Sequence, residues 1–341
     1  MSETPASMRA VQVPEPEGDF EVVEVDVPEP GPEEVRVSVD ACGVCHSDAF
    51  LKEGQWPGVE YPRTPGHEVV GHVDAVGERV ETFEAGDRVG VGWHGGHCFT
   101  CEPCRRGDFI ACENGDVTGF DHDGGYAEYL TAPQETLARV PDDLDATAAA
   151  PLLCAGVTTF NSLRNSEAEP GDLVAVQGVG GLGHLGVQYA SAFGFETVAV
   201  SRGTEKRDLA FDLGADHYVD SEAEDPAEAL TELGGASVVL ATAPHVDAME
   251  SVVGGLGVEG TLLTVGVPGE PLSVPVQPLV TSRQSVAGWP SGDARDSQDT
   301  LEFSSLRDVA SMVETYSLEE ADAAYESMMN SEARFRAVIE P

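Results

Sequence analysis

In Asp172-Leu173-Val174-Ala175-Val176-Gln177-Gly178-Val179-Gly180-Gly181-Leu182-Gly183, a short apolar run meets a glycine-rich turn with nothing between them. Asp172 to Gln177 is too short for an ordinary helix and reads as a buried strand. Gly178, Gly180 and Gly183 spell G-x-G-x-x-G, with Gly181 and Leu182 inside the turn. His184 to Phe193 then reads as a helix, with Leu185, Val187, Tyr189 and Ala190 available for packing. Strand, glycine turn and helix in that order are what a dinucleotide fold requires. Gly178 permits the tight turn, Gly180 lets the backbone approach a pyrophosphate, and Gly183 lets helix and strand pack closely. The helix N-terminus then faces the anion.

Outward from this stretch, the next strand is Thr197-Val198-Ala199-Val200. A fold that takes NAD usually places Asp or Glu just beyond this strand, to bind the ribose 2′-hydroxyl. Here Ser201 and Arg202 stand there, followed by Lys206 and Arg207. A hydroxyl and cations attract a 2′-phosphate that a carboxylate would repel, so NADP is expected ahead of NAD. Further apolar runs at Val238–Ala241 and Thr261–Val265 alternate with helix-like stretches across residues 155–289, which predicts a parallel sheet. Residues 1–154 are rich in Val, Gly and Pro, and Val35-Arg36-Val37-Ser38-Val39 alternates as strands do. Leu301 to Ile339 reads as helices and a final strand, with Ala321, Ala324, Tyr325 and Met328 on one face of a helix over 318–329. Gly288 to Asp299 is the most loop-like interior stretch.

The seven cysteines fall into a pattern. Cys98, Cys101, Cys104 and Cys112 form C-x2-C-x2-C-x7-C, with Gly95, Gly96, Pro103 and Gly107 to supply turns. Thiolates this close can close a tetrahedral zinc cage with no open position, so the expected role is structural. An iron-sulfur cluster is the rival metal, but the spacing departs from that of ferredoxins. Cys45 lies in Cys42-Gly43-Val44-Cys45-His46-Ser47-Asp48, His67 in Gly66-His67-Glu68, and Cys154 stands alone after Pro151-Leu152-Leu153. A Cys, a His and a second Cys from distant segments could make a three-ligand zinc site with the fourth position open. Cys42 is then a buried spare thiol. A redox pairing of Cys42 with Cys45 is the alternative.

Composition narrows the class. The chain has 341 residues, 41% of them hydrophobic, which fits two domains with a sizeable core. Eighteen Lys and Arg against 61 Asp and Glu give a net charge of −43. Such a surface repels nucleic acid and anionic lipid, so neither nucleic acid nor membrane is an expected partner. The acidity is spread along the chain and suggests a surface adapted to high salt, where screening is strong. No stretch has the apolar length of a membrane helix, and Met1 to Val13 shows no signal-peptide pattern, so the expected compartment is the cytoplasm.

Taken together, Cys45-His46-Ser47-Asp48, Gly66-His67-Glu68, the four-cysteine loop, Cys154 and Gly178 to Gly183 resemble the zinc-containing medium-chain dehydrogenase/reductase family, over nearly the whole chain and in the right order. The likeness is nearest to the microbial and cinnamyl-type alcohol dehydrogenases. It implies an α/β protein with a GroES-like β-rich catalytic domain, residues 1–154 and 290–341, and a Rossmann doubly wound parallel-sheet coenzyme domain, residues 155–289. It implies two zinc ions per chain. Cys45, His67 and Cys154 would bind the catalytic one, with Glu68 behind it and able to exchange onto it. Cys98, Cys101, Cys104 and Cys112 would bind the structural one. Asp48 would orient His67, and Ser47 would hydrogen-bond the substrate oxygen and start the proton path. His46 and Arg336 match cofactor-phosphate positions, with Arg334 near the latter. Thr158, Leu182 and Val265 match positions against the nicotinamide. Trp56 and Trp93 match pocket-lining positions and favour an apolar pocket, hence a simple aliphatic or aromatic alcohol or aldehyde. Phe50 departs from the pattern, since many members carry a relay His there. Polyol, sugar or threonine oxidation is the alternative within the family. A non-catalytic NADPH-binding protein is the alternative outside it, and the presence of Ser47, Asp48 and all three open-site ligands argues against that. Family members form dimers and tetramers, so a homodimer or homotetramer is implied.

Overall fold

The computed structural model describes residues 4–341. These form two compact units, one of residues 158–291 and the other of residues 4–157 and 292–341. No helix among the described residues is long and apolar enough to cross a membrane.

The unit of residues 158–291 is built on the parallel sheet its alternating runs predict. From one edge the strands are His217–Asp220, Glu196–Ser201, Leu173–Gln177, Ala236–Ala241, Leu256–Thr264 and Ser285–Gly288, all parallel to their neighbours. This is the order of a doubly wound sheet, with its reversal beside Leu173–Gln177. That strand is buried throughout, and Ala175, Val198, Val239 and Leu262 pack in one apolar cluster with Met249 and Val252 from the helix Val246–Val253. Fully burying each larger aliphatic side chain contributes on the order of 1.5–3 kcal/mol. The helix after the glycine turn is Gly183–Ala192. Gly178 holds φ at 90°. A Cβ on Gly183 would stand 1.7 Å from the Gly178 carbonyl oxygen, so only glycine closes this turn. A Cβ on Gly180 would meet nothing within 4 Å, which leaves the turn open where a ligand backbone would lie.

Two edge strands, His217–Asp220 and Ser285–Gly288, escape the sequence reading. Both are short, and neither is buried along its length, so neither carries an apolar run. The loop-like reading of Gly288 to Asp299 is also corrected. A helix runs Ala294–Arg307, because Asp293 accepts from the backbone N–H groups of Arg295 and Asp296 while Asp296 returns the bond to Asp293. Polar composition there signals a helix cap, not a loop.

The other unit centres on the long strand Glu34–Val44, in a seven-stranded sheet. Val69–Val76 and Tyr129–Pro133 pair with it antiparallel, and so does the C-terminal strand Arg336–Glu340. The registers Cys42↔Val69 and Ala337↔Val44 bring three chain segments to one place. The chain leaving one strand at Cys45, the chain entering the second at Glu68, and the start of the third at Arg336 lie side by side. The strand Val313–Ser317, parallel to Arg336–Glu340, corrects the helical reading of that stretch.

Candidate active site

Cys45 directly follows the strand Glu34–Val44, and Asp48 begins the short helix Asp48–Lys52. His67 and Glu68 immediately precede Val69–Val76. Cys154 follows the 3-10 turn Ala150–Leu153, which packs against the same strands. Ligand-type atoms of Cys45, His67, Glu68 and Cys154 all lie within 4.8 Å of one another. The two sulfurs are 3.8 Å apart and unbonded. Two sulfurs each about 2.3 Å from a tetrahedral ion stand about 3.8 Å apart, so the pair has the spacing of co-ligands. His67 and Glu68 are fully buried, and His67 Nε2 and Glu68 Oε2 have no hydrogen-bond partner among the described residues. Buried polar atoms without partners cost about 1–3 kcal/mol each, and a metal ion among these donors would satisfy them. The donor set and its geometry therefore fit zinc.

The surroundings orient these groups. Asp48, fully buried, accepts from the Cys45 backbone N–H at 2.9 Å and from the Tyr126 hydroxyl at 2.9 Å, both through Oδ2. Its Oδ1 faces His67 Nδ1 at 3.3 Å, off the line of a hydrogen bond. Burial lowers the His67 pKa, but Asp48 and Cys45 outweigh it and hold that pKa well above its ordinary value. The hydrogen bond with Cys154 draws the Cys45 thiol well below its usual range, against the effect of burial. Burial pushes the Glu68 carboxyl up to about 7, although Arg336 opposes it. Ser47 Oγ stands 3.6 Å from Cys45 Sγ, half-buried.

Trp93 stands edge-on to His67, ring centres 4.9 Å apart, and Trp56 meets Trp93 at 5.7 Å. Phe120 completes the wall, 5.3 Å from each tryptophan. Sequence reasoning missed Phe120, because it sits in an irregular segment with no periodicity. Phe50 packs into the neighbouring core and offers no proton acceptor.

The family resemblance places Arg336 on a cofactor phosphate, and the sequence offers no partner for it within the protein. The structure supplies one. The guanidinium is 4% exposed and pairs through Nη2 with Glu68 Oε1, with the Val44 carbonyl accepting at 3.2 Å. His46, exposed, makes no such contact in this unit.

Sulfurs of Cys98, Cys101, Cys104 and Cys112 form a second cluster, again within 4.8 Å of one another. Cys112 is 3.8 Å from Cys101 and 3.6 Å from Cys98. Backbone N–H groups of Cys98, Cys101 and Asn114 point at these sulfurs, at 3.3–3.4 Å. With the Thr100 hydroxyl as the largest influence, hydrogen bonds draw Cys98 down to about 5, which suits a thiolate ligand.

In the other unit, Ser201 ends the strand Glu196–Ser201, and Arg202 is exposed beside it. Lys206 reaches back to the glycine turn and donates to the Val179 carbonyl at 2.7 Å. Tyr218 donates to the Gly203 carbonyl at 2.7 Å, and the Gly203 N–H donates to Asp220 at 2.7 Å, which shapes the segment holding these cations. Leu182 precedes the helix, Thr158 is buried in Ala155–Arg164, and Val265 follows Leu256–Thr264.

Fold and clusters together define a dinucleotide-type sheet joined in one chain to a β-rich unit with two metal-type donor sets. Residues 31–142 match the family described as alcohol dehydrogenase GroES-like domain, and residues 181–305 match that described as zinc-binding dehydrogenase. An alcohol dehydrogenase of Penicillium expansum is 43% identical over 338 residues, 99% of each chain. Among solved structures, a cinnamyl alcohol dehydrogenase of Sorghum bicolor superposes with a TM-score of 0.88 at 32% identity, covering 98% of this chain and 97% of that one. CAD from Helicobacter pylori, solved with NADP(H), gives 0.88 at 26% identity over 99% of both chains. The chain belongs to the zinc-binding alcohol dehydrogenase family.

Proposed function

We propose that this chain is a zinc-dependent alcohol dehydrogenase that moves a hydride between a primary or secondary alcohol, or its aldehyde or ketone, and NADP. The observation that carries this is the convergence of Cys45 and His67, both buried, with the half-buried Cys154, unbridged and beside an aromatic wall. These three residues would hold a catalytic zinc, and Cys98, Cys101, Cys104 and Cys112 a structural one. Zinc in a three-ligand site supplies a Lewis acid that lowers the pKa of an oxygen it binds and polarises a carbonyl. The remaining work falls to the chain itself. Ser47 Oγ takes the substrate's hydroxyl proton, and since Phe50 offers no next acceptor the proton leaves by water or a cofactor ribose hydroxyl. Trp56 and Trp93 exclude water and select an aliphatic or aromatic carbon skeleton. Asp48 keeps the proton on His67 Nδ1, so that Nε2 presents its lone pair. Arg336 holds Glu68 by its charge.

The preference for NADP rests on Ser201, Arg202, Lys206 and Arg207, and it agrees with the NADP(H) held by the Helicobacter protein. Absorbance at the nicotinamide band, followed with a panel of alcohols, tests both parts. We expect turnover with simple alcohols and a Michaelis constant for NADP at least about tenfold below that for NAD, equivalent to roughly 1.4 kcal/mol. Ser201→Asp should reverse that order. Equal constants for the two cofactors would remove the NADP assignment, and no turnover of any alcohol in the panel would remove the activity.

The acidic surface is suited to high salt, and the exposed edge strand suits self-association. Val286 on the Ser285–Gly288 edge strand, Val258 on the neighbouring Leu256–Thr264, and Val276 and Val280 on the helix Val276–Thr281 are all more than 40% exposed, which fits a homodimer or homotetramer. At about 1 M KCl the Debye length falls to about 3 Å, so we expect the melting temperature to climb with KCl. Sedimentation in the same buffers should give twice or four times the chain mass. A melting temperature flat in KCl would argue against the salt reading, and a monomer throughout would argue against assembly.

A further inference from the structure

The Asp48 carboxylate has one oxygen for His67 and one for everything else, and the second oxygen has a partner the catalytic scheme leaves unused. Tyr126 is fully buried and donates its phenol to Asp48 Oδ2 at 2.9 Å. The Cys45 N–H donates to the same atom. With two donors on Oδ2, the carboxylate cannot turn about its own axis, and Oδ1 is left facing His67. Burial, with the Asp48 charge beside it, drives the Tyr126 pKa well above its ordinary value, so the phenol keeps the proton it donates.

The phenol is also built on the frame that carries His67. Backbone N–H groups of Gly124, Gly125 and Tyr126 donate to the carbonyls of Thr64, Gly66 and Pro65 at 2.8–3.0 Å. The ring lies so close to Gly66 that a Cβ there would come within 2.6 Å of Tyr126 Cδ1. The edge of Phe20 meets the same ring at 6.2 Å. Tyr126 and the segment presenting His67 therefore move as one body, and the hydroxyl ties that body to the segment presenting Cys45.

We propose that Tyr126 is a positioning residue for the metal centre: through Asp48 it sets the orientation of His67 and locks the Cys45 and His67 segments into one register. The proposal rests on the reading of Cys45, His67 and Cys154 as zinc ligands. Removal of a group in direct contact with a metal ligand, as Asp48 is with His67, typically costs 10–100-fold in metal affinity, and Tyr126 acts one step beyond it.

The test uses the zinc-loaded full chain and a chromogenic chelator. Tyr126→Phe keeps the ring and removes only the hydroxyl. We expect it to release one zinc about tenfold faster than the parent, with the Michaelis constant for NADP unchanged. Asp48→Asn should release that zinc faster still, and adding Tyr126→Phe to it should change little. Tyr61→Phe is the control, because it also removes a phenol hydrogen bond, 2.6 Å to the Leu51 carbonyl, away from the ligands. Release from Tyr126→Phe within twofold of the parent, or an equal acceleration in Tyr61→Phe, would overturn the proposal. Should Cys45→Ala retain a full complement of zinc, the ligand reading itself fails, which is a different result.

Discussion

Cys45→Ala is expected to lower turnover by at least about 10³-fold, which corresponds to roughly 4 kcal/mol of transition-state stabilisation, while the chain stays folded. The side chain is 5% exposed and small, and its removal leaves a cavity little larger than a sulfur atom, so the stability cost is on the order of 1 kcal/mol. The chemical cost is large, since one of the three proposed zinc ligands disappears from a cluster of four donors within 4.8 Å. His67→Ala should be as inactive but less stable, because Asp48 Oδ1 has no other partner among the described residues. Truncating one partner of a buried polar pair strands the other, at roughly 1–3 kcal/mol. Turnover at the nicotinamide band, zinc content and circular dichroism melts separate these effects. Activity within tenfold of the parent in Cys45→Ala would refute the metal centre.

Cys101→Ala should do the reverse, with a large loss of stability and little direct loss of chemistry. The lobe it closes has scant apolar packing of its own. Cys98 and Cys112 are half-exposed, and beyond the sulfurs His97 stacks on Phe109 and meets Phe99 edge-on, both at 4.1 Å. Four converging thiols without an ion would repel once ionised, and zinc binding to such a set is strongly coupled to folding. We expect a loss of about 3–5 kcal/mol, and since each kcal/mol moves the melting temperature of a domain this size by about 2–4 °C, a fall of roughly 10 °C. Below that temperature the turnover number should stay within about threefold. An unchanged melting temperature would count against a structural ion.

Local chemistry was legible where neighbours in sequence are also neighbours in space. The glycine turn follows its strand directly, and the four-cysteine loop spans only residues 98–112, so spacing alone carries both meanings. The two missed edge strands and the helix Ala294–Arg307 were less legible, because their stability comes from ladder bonds and a capping box and not from an apolar pattern. Phe120 and Tyr126 gave no signal, since nothing in an irregular loop says which side chain turns inward.

Sequence alone determined the dinucleotide turn and the four-thiol loop, because each depends on residues a few positions apart; the parallel sheet was legible only as an alternation of apolar runs, since its strands pair across long crossovers. Only the tertiary structure decided that Arg336 answers Glu68, that Trp93 and Phe120 wall in His67, and that Tyr126 holds Asp48. Those pairings depend on strand register. In an antiparallel sheet a shift of one residue turns every side chain to the opposite face, and that register is set by the whole core, not by any one segment.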